Sequence, residues 1–208
     1  MEIRVLSSDD VQKALPMAEA IEGMKRAYSR LSSGRVEMPL RSRVHVPEQE
    51  GVLLTMPAAL PDDSEMAVKL VTVFGKNPAR GFPLIHAAVL VLDTENGQIK
   101  ALMDGEVLTA VRTGAGVGAA TELLASSDAV SVGIIGSGKQ ACSQLDAVCT
   151  VRSIRQAWVY SPNPEHAQNF VEEMSGVGLI PKDIQAVTSS AEAVKNADIV
   201  CTATTSST

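Results

Sequence analysis

One short segment has the pattern of a phosphate-binding turn. The apolar run 130–135 is typical of a strand buried on both faces, and Gly136-Ser137-Gly138-Lys139-Gln140-Ala141 follows it directly. The first glycine permits a tight turn, the second leaves room for a pyrophosphate, and Ala141 lets the next helix lie close to the strand. Free N–H groups at the start of that helix attract anions. The segment predicts dinucleotide binding, although a glycine turn that only joins a strand to a helix has the same pattern.

The residue at the end of the next predicted strand bears on which dinucleotide binds. Sites that prefer NAD place an Asp or Glu about twenty residues beyond the turn, where it holds the ribose hydroxyls. Here Ser161 takes that position, and Asn163 and His166 nearby could hydrogen-bond a 2′-phosphate. Because no carboxylate would repel the phosphate, the sequence favours NADP(H) over NAD(H), although no arginine clamps the phosphate either.

Lys69 is a candidate for acid/base chemistry. It shares one face of a predicted strand with Ala67, Val71 and Val73. An ammonium on such a face is costly unless it reaches water, a partner or a substrate. Lys69 is therefore interpreted either as a lysine that extends to solvent from an edge strand or as an acid/base or carboxylate-binding group.

Three arginines are candidate ligands for a carboxylate. Arg41 and Arg43 fall on one face of a predicted strand with His45, where they form either a solvated face or a fork for a carboxylate. Arg112 stands among Thr, Ala, Gly and Val in a helix that should be mostly buried, so we expect it to have an anionic partner.

The elements around these residues predict an α/β protein of two parts. A helix-like segment to about Ser32 and mostly antiparallel strands indicate an α+β domain over 1–115. Strands that alternate with helices indicate a doubly wound, Rossmann-type parallel sheet over 116–208. Its four strands are fewer than the usual six or so, and the chain is interpreted as cut short. The predicted strands are 40–46, 52–56, 66–74, 85–93, 99–103, 130–135, 156–161, 184–187 and 199–203.

Composition argues against several classes of protein. The net charge of −6, a pI near 5.1 and 3% aromatic residues argue against nucleic acid or an anionic membrane as a partner. Three histidines and three cysteines lack the spacing of a metal site, and the odd cysteine count suits a reducing compartment. Neither a signal peptide nor an apolar run of about 18 residues is present, so we expect a cytoplasmic protein.

Several segments in order along the chain resemble motifs of the ornithine cyclodeaminase/mu-crystallin family. The run Met103–Ala115 is similar to its "LTA-x-RT-x-A" motif, and the glycine turn is similar to "GxGxQA". Two further runs resemble "MPA…vKlv…N…GxP" and "aDivxTaT". They comprise Met56-Pro57-Ala58, Val68–Val71, Asn77-Pro78 and Gly81-Phe82-Pro83 in the first case, and Ala197–Val200 with Thr202-Ala203-Thr204 in the second.

The resemblance implies a substrate-binding and dimerisation domain before an incomplete Rossmann domain, in a homodimer that binds a small amino or imino acid. The implied chemistry is hydride transfer at a carbon that bears an amino or imino group beside a carboxylate, of the ornithine cyclodeaminase, alanine dehydrogenase or ketimine reductase type. The alternatives are a mu-crystallin-like, NADPH-dependent protein that binds a small ligand, and an inactive fragment.

The resemblance also implies roles for individual residues. Lys69 matches a catalytic lysine near the substrate carboxylate, and Arg112 matches an arginine that holds this carboxylate close to the nicotinamide. Arg41 fits a "PxR" arginine for the same group, with Arg43 as a competitor. The implied cofactor-binding residues are Arg112, Thr113, Gly136, Ser137, Gly138, Lys139, Gln140, Ser161 and Thr202.

Two departures from the family pattern bear on activity. Leu84 stands where several members have a threonine that faces the cofactor, so a hydroxyl is missing from the implied site. The chain also ends before the family's catalytic aspartate and C-terminal segment. We therefore expect a fragment that is inactive by itself.

Overall fold

A computed structural model describes residues 2–61 and 64–204. The chain divides into two compact units, one of Met1–Leu15 with Arg26–Thr109 and one of Pro16–Lys25 with Ala110–Thr208. The assignment of substrate binding to 1–115 and of NAD(P) binding to 116–208 stays a prediction. In the part of the chain that the structure describes, no helix combines the length and apolar character needed to cross a membrane.

The first unit is built on a six-stranded sheet in the order β1-β6-β5-β4-β3-β2. Its strands pair antiparallel, except that β1 pairs parallel to β6, so the predicted mostly antiparallel sheet is confirmed. The pattern at the N-terminus did not predict β1. The strands are β1 (Arg4–Leu6), β2 (Ser42–Val46), β3 (Gly51–Leu60), β4 (Glu65–Phe74), β5 (Ile85–Asp93) and β6 (Ile99–Asp104).

The predicted single N-terminal helix is wrong, because the structure has α1 (Ser8–Ala14) and α2 (Met17–Ser32) instead. Ser7 caps α1, since its hydroxyl accepts from the Asp10 N–H at 3.3 Å while the Asp10 carboxylate accepts from the Ser7 N–H at 2.9 Å. Pro16 separates the two helices, because proline offers no N–H for a continuing helix and its ring obstructs the preceding turn.

The start of helix α3 (Gly105–Leu124) depends on two adjacent residues, Asp104 and Gly105. The Asp104 carboxylate accepts from the Val107 N–H at 2.8 Å and so satisfies one of the free donors of the first turn. A Cβ at position 105 would lie 2.6 Å from the carbonyl carbon of Ala87 on β5. Only glycine therefore fits where the helix leaves the sheet.

The second unit contains a four-stranded parallel sheet in the order β10-β7-β8-β9. Counted along the unit this order is 4-1-2-3, which read from the other edge is the 3-2-1-4 arrangement of doubly wound nucleotide-binding sheets. The predicted α/β class with a parallel sheet is confirmed. The elements are β7 (Ser131–Ile135), α4 (Lys139–Val151), β8 (Gln156–Tyr160), α5 (Pro164–Met174), β9 (Ile184–Val187), α6 (Ser190–Lys195) and β10 (Ile199–Thr202).

Small residues let α3 pack closely against α4 in the second unit. A Cβ at Gly114 would lie 2.6 Å from the carbonyl carbon of Ser143, and one at Gly118 would lie 3.2 Å from the Ala147 side chain. The Ser143 hydroxyl donates to the Ala110 carbonyl at 2.7 Å. Backbone and side-chain contacts together fix the level of α3 relative to α4.

Arg152 holds the other end of α3. Its guanidinium donates to the carbonyls of Thr121, Glu122 and Ala125 at 3.0, 3.0 and 2.9 Å. The last carbonyls of a helix have no partner within the helix, and they carry its negative dipole end. A cation that satisfies several of them ends α3 and anchors it in the second unit.

Asp198 connects the beginnings of β7 and β10. These are the two adjacent strands between which the order of the sheet reverses direction. Its carboxylate accepts from the N–H groups of Val130 and Ser131 at 2.9 and 3.0 Å and from the Ser131 hydroxyl at 2.7 Å. The hydrogen bond from this hydroxyl, followed by the one from Val130, lowers the pKa of Asp198 below its ordinary value. The ionised carboxylate is therefore the form that stabilises the fold.

We expect the Asp198→Asn substitution to lower stability at neutral pH, because a neutral amide oxygen accepts these three hydrogen bonds more weakly than the charged carboxylate oxygen does. Since folding lowers the pKa of Asp198, the stabilisation is present above the unfolded-state value and disappears as pH falls through the folded-state value. Urea unfolding of the two proteins should differ at pH 7 and should converge at a pH below the folded-state pKa of Asp198. Asp9→Asn, which removes an exposed carboxylate from α1, is the control for net charge. An equal loss of stability at both pH values would contradict this account.

Candidate functional site

The turn after β7 is fixed by its two neighbouring strands. Gly136 has φ +112°, a backbone conformation that favours glycine, and a Cβ there would overlap the carbonyl oxygen of Ala203 after β10. The Gly136 N–H donates to the Tyr160 carbonyl at the end of β8, and the Ala203 N–H donates to the Ile135 carbonyl, both at 2.8 Å. Ala203 contacts the turn only because β10 lies beside β7, and this strand order was not predicted from the sequence.

The second glycine of the turn leaves open space at the start of α4. Gly138 is the N-cap of α4 with φ −90° and ψ −176°, and a Cβ there would meet nothing within 4 Å. Ala141 is fully buried, as its position against the strand predicted. A free space, the N–H groups of a helix start and close helix packing are what a pyrophosphate requires. The residues present therefore fit a dinucleotide.

Gln140 adds a polar atom to this region. Its side-chain oxygen is buried and has no hydrogen-bond partner among the described residues. A buried acceptor without a donor costs free energy, and such an atom in a native protein requires an explanation. A ligand that donates a hydrogen bond at α4 would satisfy it.

Two more predicted cofactor residues lie at the same edge of the sheet as the turn. Thr202 ends β10 in register with Ile135, and Ser161 directly follows β8. The carboxyl ends of parallel strands share one edge, where open α/β sheets bind their ligands. Ser161 is only 8% exposed. The Asn163 side chain caps α5 by accepting from the Glu165 N–H at 3.0 Å, so its oxygen already has a structural role.

Arg112 and Thr113 stand on α3 directly before Gly114, which contacts Ser143 in the second turn of α4. This contact places Arg112 and Thr113 beside the first turns of α4, close to the glycine turn that precedes it. Arg112 is exposed, so the expectation that its helix buries it is wrong, and an anionic partner for Arg112 stays a prediction. Helix α3 buries Gly114 and Ala115 on one face and presents Arg112 on another.

Lys69 lies on β4, an interior strand, and is half-buried. The interpretation as an edge-strand lysine is therefore wrong, because β3 and β5 pair with β4 on both sides. Arg43 lies on the edge strand β2, Arg41 directly precedes that strand, and both are exposed. Lys69 belongs to the first unit and Arg112 to the second, and their convergence on one substrate stays a prediction.

The cysteines do not supply a reactive thiolate. Burial raises the pKa of the Cys149 thiol to about 12 and that of Cys201 to about 11. Burial also raises the pKa of the Cys142 thiol. The thiolate is the nucleophilic form, and it is scarce at neutral pH for these three groups. Burial therefore disfavours these three thiols as nucleophiles.

Comparison with known proteins gives consistent matches. A sequence model of the ornithine cyclodeaminase/mu-crystallin family matches residues 1–208. The chain is 32% identical to a Delta(1)-pyrroline-2-carboxylate reductase of Bacillus cereus over 204 residues, which cover 98% of this chain and 62% of the relative. The predicted resemblance to the family is thereby confirmed.

Solved structures extend the comparison to the fold. The Delta(1)-pyrroline-2-carboxylate reductase of Thermococcus litoralis, in complex with NADH and L-proline, superposes with a TM-score of 0.90 at 42% identity and covers 98% of this chain. A lysine cyclodeaminase that recognises L-lysine, L-ornithine and L-2,4-diaminobutyric acid has a TM-score of 0.82 at 31% identity over the whole chain. This chain spans 62% of the length of each of these two proteins.

We expect Gly138→Val to abolish dinucleotide binding while the protein remains folded. The added methyl groups would point into the open space before α4, where a pyrophosphate approaches the backbone, and should weaken binding by about 100-fold or more. Titration with NADH and NADPH followed by fluorescence measures the affinity, and circular dichroism checks the fold. Gly138→Ala is the graded control, with a smaller loss. Unchanged affinity in the valine variant would show that the turn does not hold the cofactor.

Proposed function

The chain belongs to the ornithine cyclodeaminase/mu-crystallin family, and on that premise we propose an NAD(P)-dependent oxidoreductase or cyclodeaminase that acts on a small amino acid or cyclic imino acid. The observation that carries the proposal is the turn at Gly136 and Gly138, which lies at the switch point of a 3-2-1-4 sheet and leaves space for a dinucleotide. NAD(P)-linked turnover of cyclic imines and amino acids by a chain extended to the length of its relatives, followed by nicotinamide absorbance, tests it.

The second unit would hold the cofactor. The free N–H groups around Gly138 and at the start of α4 would bind the pyrophosphate, and Gln140, Ser161 and Thr202 would contact other parts of the dinucleotide. When bound, the reduced nicotinamide supplies a hydride to the carbon of a C=N bond, whose electron pair moves to the nitrogen and there takes up a proton. In a cyclodeaminase, the oxidised cofactor would first take a hydride from the amino acid, and after ring closure with loss of ammonia the reduced cofactor would return it to the cyclic imine.

Lys69, in the first unit, would be the group that binds or protonates the substrate. Lys69 would bind the substrate carboxylate or give a proton to the reacting nitrogen, because its ammonium group is a positively charged hydrogen-bond donor on a half-buried part of the sheet. Arg112 and Arg41, or Arg43 in place of Arg41, would hold the carboxylate and fix the orientation of the reacting carbon. These roles rest on the position of Lys69 on β4 and on the family motifs.

A second candidate function is binding without turnover, as in a mu-crystallin-like protein that holds a small ligand. Leu84 favours it, because its side chain is 44% exposed directly before β5, where several family members have a threonine. An apolar side chain suits an apolar ligand and offers no hydroxyl for catalysis. Cofactor and ligand binding with no change in nicotinamide absorbance would support this alternative.

We also propose a cytoplasmic homodimer. The sheet face opposite Lys69 exposes the apolar side chains of Val5, Val44 and Leu102, by 69%, 57% and 37%. Apolar surface of this kind commonly marks a protein interface. The free thiols Cys142, Cys149 and Cys201 suit the reducing cytoplasm.

In a chain extended to the length of its relatives, we expect Lys69→Ala to lower turnover by about 100-fold or more, the scale of a lost acid/base group, and to leave cofactor affinity near normal. The measurements are steady-state rates with a cyclic imine and fluorescence titration of the cofactor. Lys13→Ala, on α1 of the same unit, removes an exposed ammonium and is the control for charge. Retention of full turnover would exclude Lys69 from the chemistry, and loss of cofactor binding would point to a structural role.

We expect NADP(H) to bind more tightly than NAD(H), because Ser161 follows β8 where an acid would repel the 2′-phosphate. A preference of about tenfold, or about 1.4 kcal/mol, is the expected scale. Calorimetry with the two cofactors measures it directly. A Ser161→Asp variant should reverse the preference. Tighter NAD(H) binding by the unsubstituted protein would show that another group discriminates against the phosphate.

A further inference from the structure

Asn96 differs from the other asparagines of the chain in the residue that follows it. Glycine follows Asn96, and it has no side chain to shield its main-chain nitrogen. Two of the other asparagines precede proline, whose nitrogen has no hydrogen to lose, and two precede residues with a side chain. These four are Asn77, Asn163, Asn169 and Asn196. The nitrogen of Gly97 is therefore the least hindered one in the chain that could attack the side-chain carbonyl of a preceding asparagine.

The turn that contains Asn96 joins β5 to β6 and is open to solvent. Asn96 and Gly97 are both exposed, and Gly97 has φ +74°, a conformation that favours glycine. The Asp93 side chain holds the turn in shape, because its carboxylate accepts from the Glu95 N–H at 2.8 Å and from the Lys100 ammonium at 2.6 Å. Water can therefore reach Asn96 while the turn around it keeps one conformation.

The Asn96 side chain is already turned toward the peptide bond that follows it. Its Oδ1 accepts from the Gln98 N–H at 2.9 Å, which closes an Asx turn. The ring of this turn contains both the Cγ of Asn96 and the nitrogen of Gly97, so the two atoms that would bond are held near each other. Reacting atoms in such an arrangement react faster than free ones. The Gln98 N–H would also stabilise the negative charge that develops on Oδ1 when a nitrogen adds to Cγ.

One hydrogen bond opposes this reaction. The Gly97 N–H donates to the Asp93 carbonyl at 2.9 Å, and the nitrogen can attack only after a base has removed its proton. A carbonyl oxygen is too weak a base for that step, so this hydrogen bond must open first. The next pair along the hairpin, from the Asp93 N–H to the Gln98 carbonyl at 2.8 Å, can stay closed meanwhile. Local opening at the exposed end of the hairpin is therefore enough.

We propose that Asn96 is a site of spontaneous deamidation and isomerisation. After hydroxide removes its proton, the Gly97 nitrogen bonds to the Cγ of Asn96, and the bond from Cγ to the side-chain nitrogen breaks. That nitrogen takes a proton from water and leaves as ammonia, and a succinimide ring remains in the main chain. Water then opens the ring at Cγ, which gives aspartate, or at the main-chain carbonyl, which gives isoaspartate. No group is oxidised or reduced.

The two products differ in what they do to the hairpin. Aspartate keeps an oxygen that can accept from the Gln98 N–H. Isoaspartate continues the main chain through Cγ, so the chain before Gly97 becomes one methylene longer and the side-chain acceptor is lost. Because Gly97 and Gln98 both form backbone hydrogen bonds with Asp93, this extra length weakens the pairing of β5 with β6. Isoaspartate at position 96 should therefore destabilise the first unit more than aspartate does.

The test follows the folded protein during incubation at mildly alkaline pH. Peptide mass spectrometry measures the exchange of the side-chain nitrogen for oxygen, and an isoaspartate-specific methyltransferase measures isoaspartate. We expect Asn96 to react at least about tenfold faster than Asn169 and Asn196 in the same chain, and the rate to rise with pH. Isoaspartate should exceed aspartate, because the main-chain carbonyl of the ring stands beside an electron-withdrawing amide nitrogen and is the more electrophilic.

Two variants are the controls. Asn96→Gln would need a larger, more slowly formed ring, so it should show no comparable change at this position. Asn96→Asp carries the negative charge without the longer main chain. In thermal unfolding followed by circular dichroism, the incubated protein should unfold at a lower temperature than fresh Asn96→Asp, and incubated Asn96→Gln should unfold as the fresh variant does.

Three results would overturn the proposal. Reaction at Asn96 no faster than at Asn169 and Asn196 would show that the turn gives it no special reactivity. Reaction only in protein that is unfolded in urea would show that the hydrogen bond of Gly97 blocks the attack in the folded hairpin. Aspartate without isoaspartate would mean direct hydrolysis by water and no ring. Because the reaction uses neither a substrate nor a cofactor, each of these results leaves the proposed function unaffected.

Discussion

The close approach of two backbones at the end of β7 is the constraint on which the second unit depends. At Gly136 any side chain would overlap the carbonyl oxygen of Ala203, and the backbone there has a positive φ. The chain can therefore leave β7 only through glycine. This close contact brings the end of β10 beside the turn. At the other end of the two strands, the hydrogen bond from the Ser131 hydroxyl to the Asp198 carboxylate joins β7 to β10. Strand order and turn geometry thus depend on each other.

Close backbone contacts of the same kind occur where helices pack against the sheet and against one another. A Cβ at Gly133 on β7 would overlap the carbonyl oxygen of Ala193 in α6, and one at Gly114 would overlap Ser143 in α4. Backbone packing this close removes water from around the peptide groups and leaves few rotamers to order. It explains why α3 is rich in alanine and glycine without being a flexible segment, and why so few aromatic residues are needed to fill the core.

Local pattern predicted most elements, and long-range pairing accounts for what it missed. Residues 85–93 and 184–187 were predicted as strands with the observed bounds, because alternation and turn residues mark them. The break at Pro16 could have been predicted from proline itself. The interior position of Lys69 could not, since periodicity gives the face of a residue but not the order of its strand in the sheet. The exposure of Arg112 likewise depends on which face of α3 packs against α4.

The candidate site follows the same division between local and long-range information. The glycine turn has a local sequence pattern, because its chemistry is carried by consecutive backbone N–H groups. The surroundings of Lys69 come from β3, β4 and β5, and Met56 is thirteen residues away in sequence although it is the direct neighbour in space. The residue opposite Lys69 is a property of register, since a shift by one residue would replace Met56 with Thr55 or Pro57 and turn the other face toward Lys69. The turn is therefore set by consecutive residues, whereas the neighbours of Lys69 are set by the pairing of separate strands.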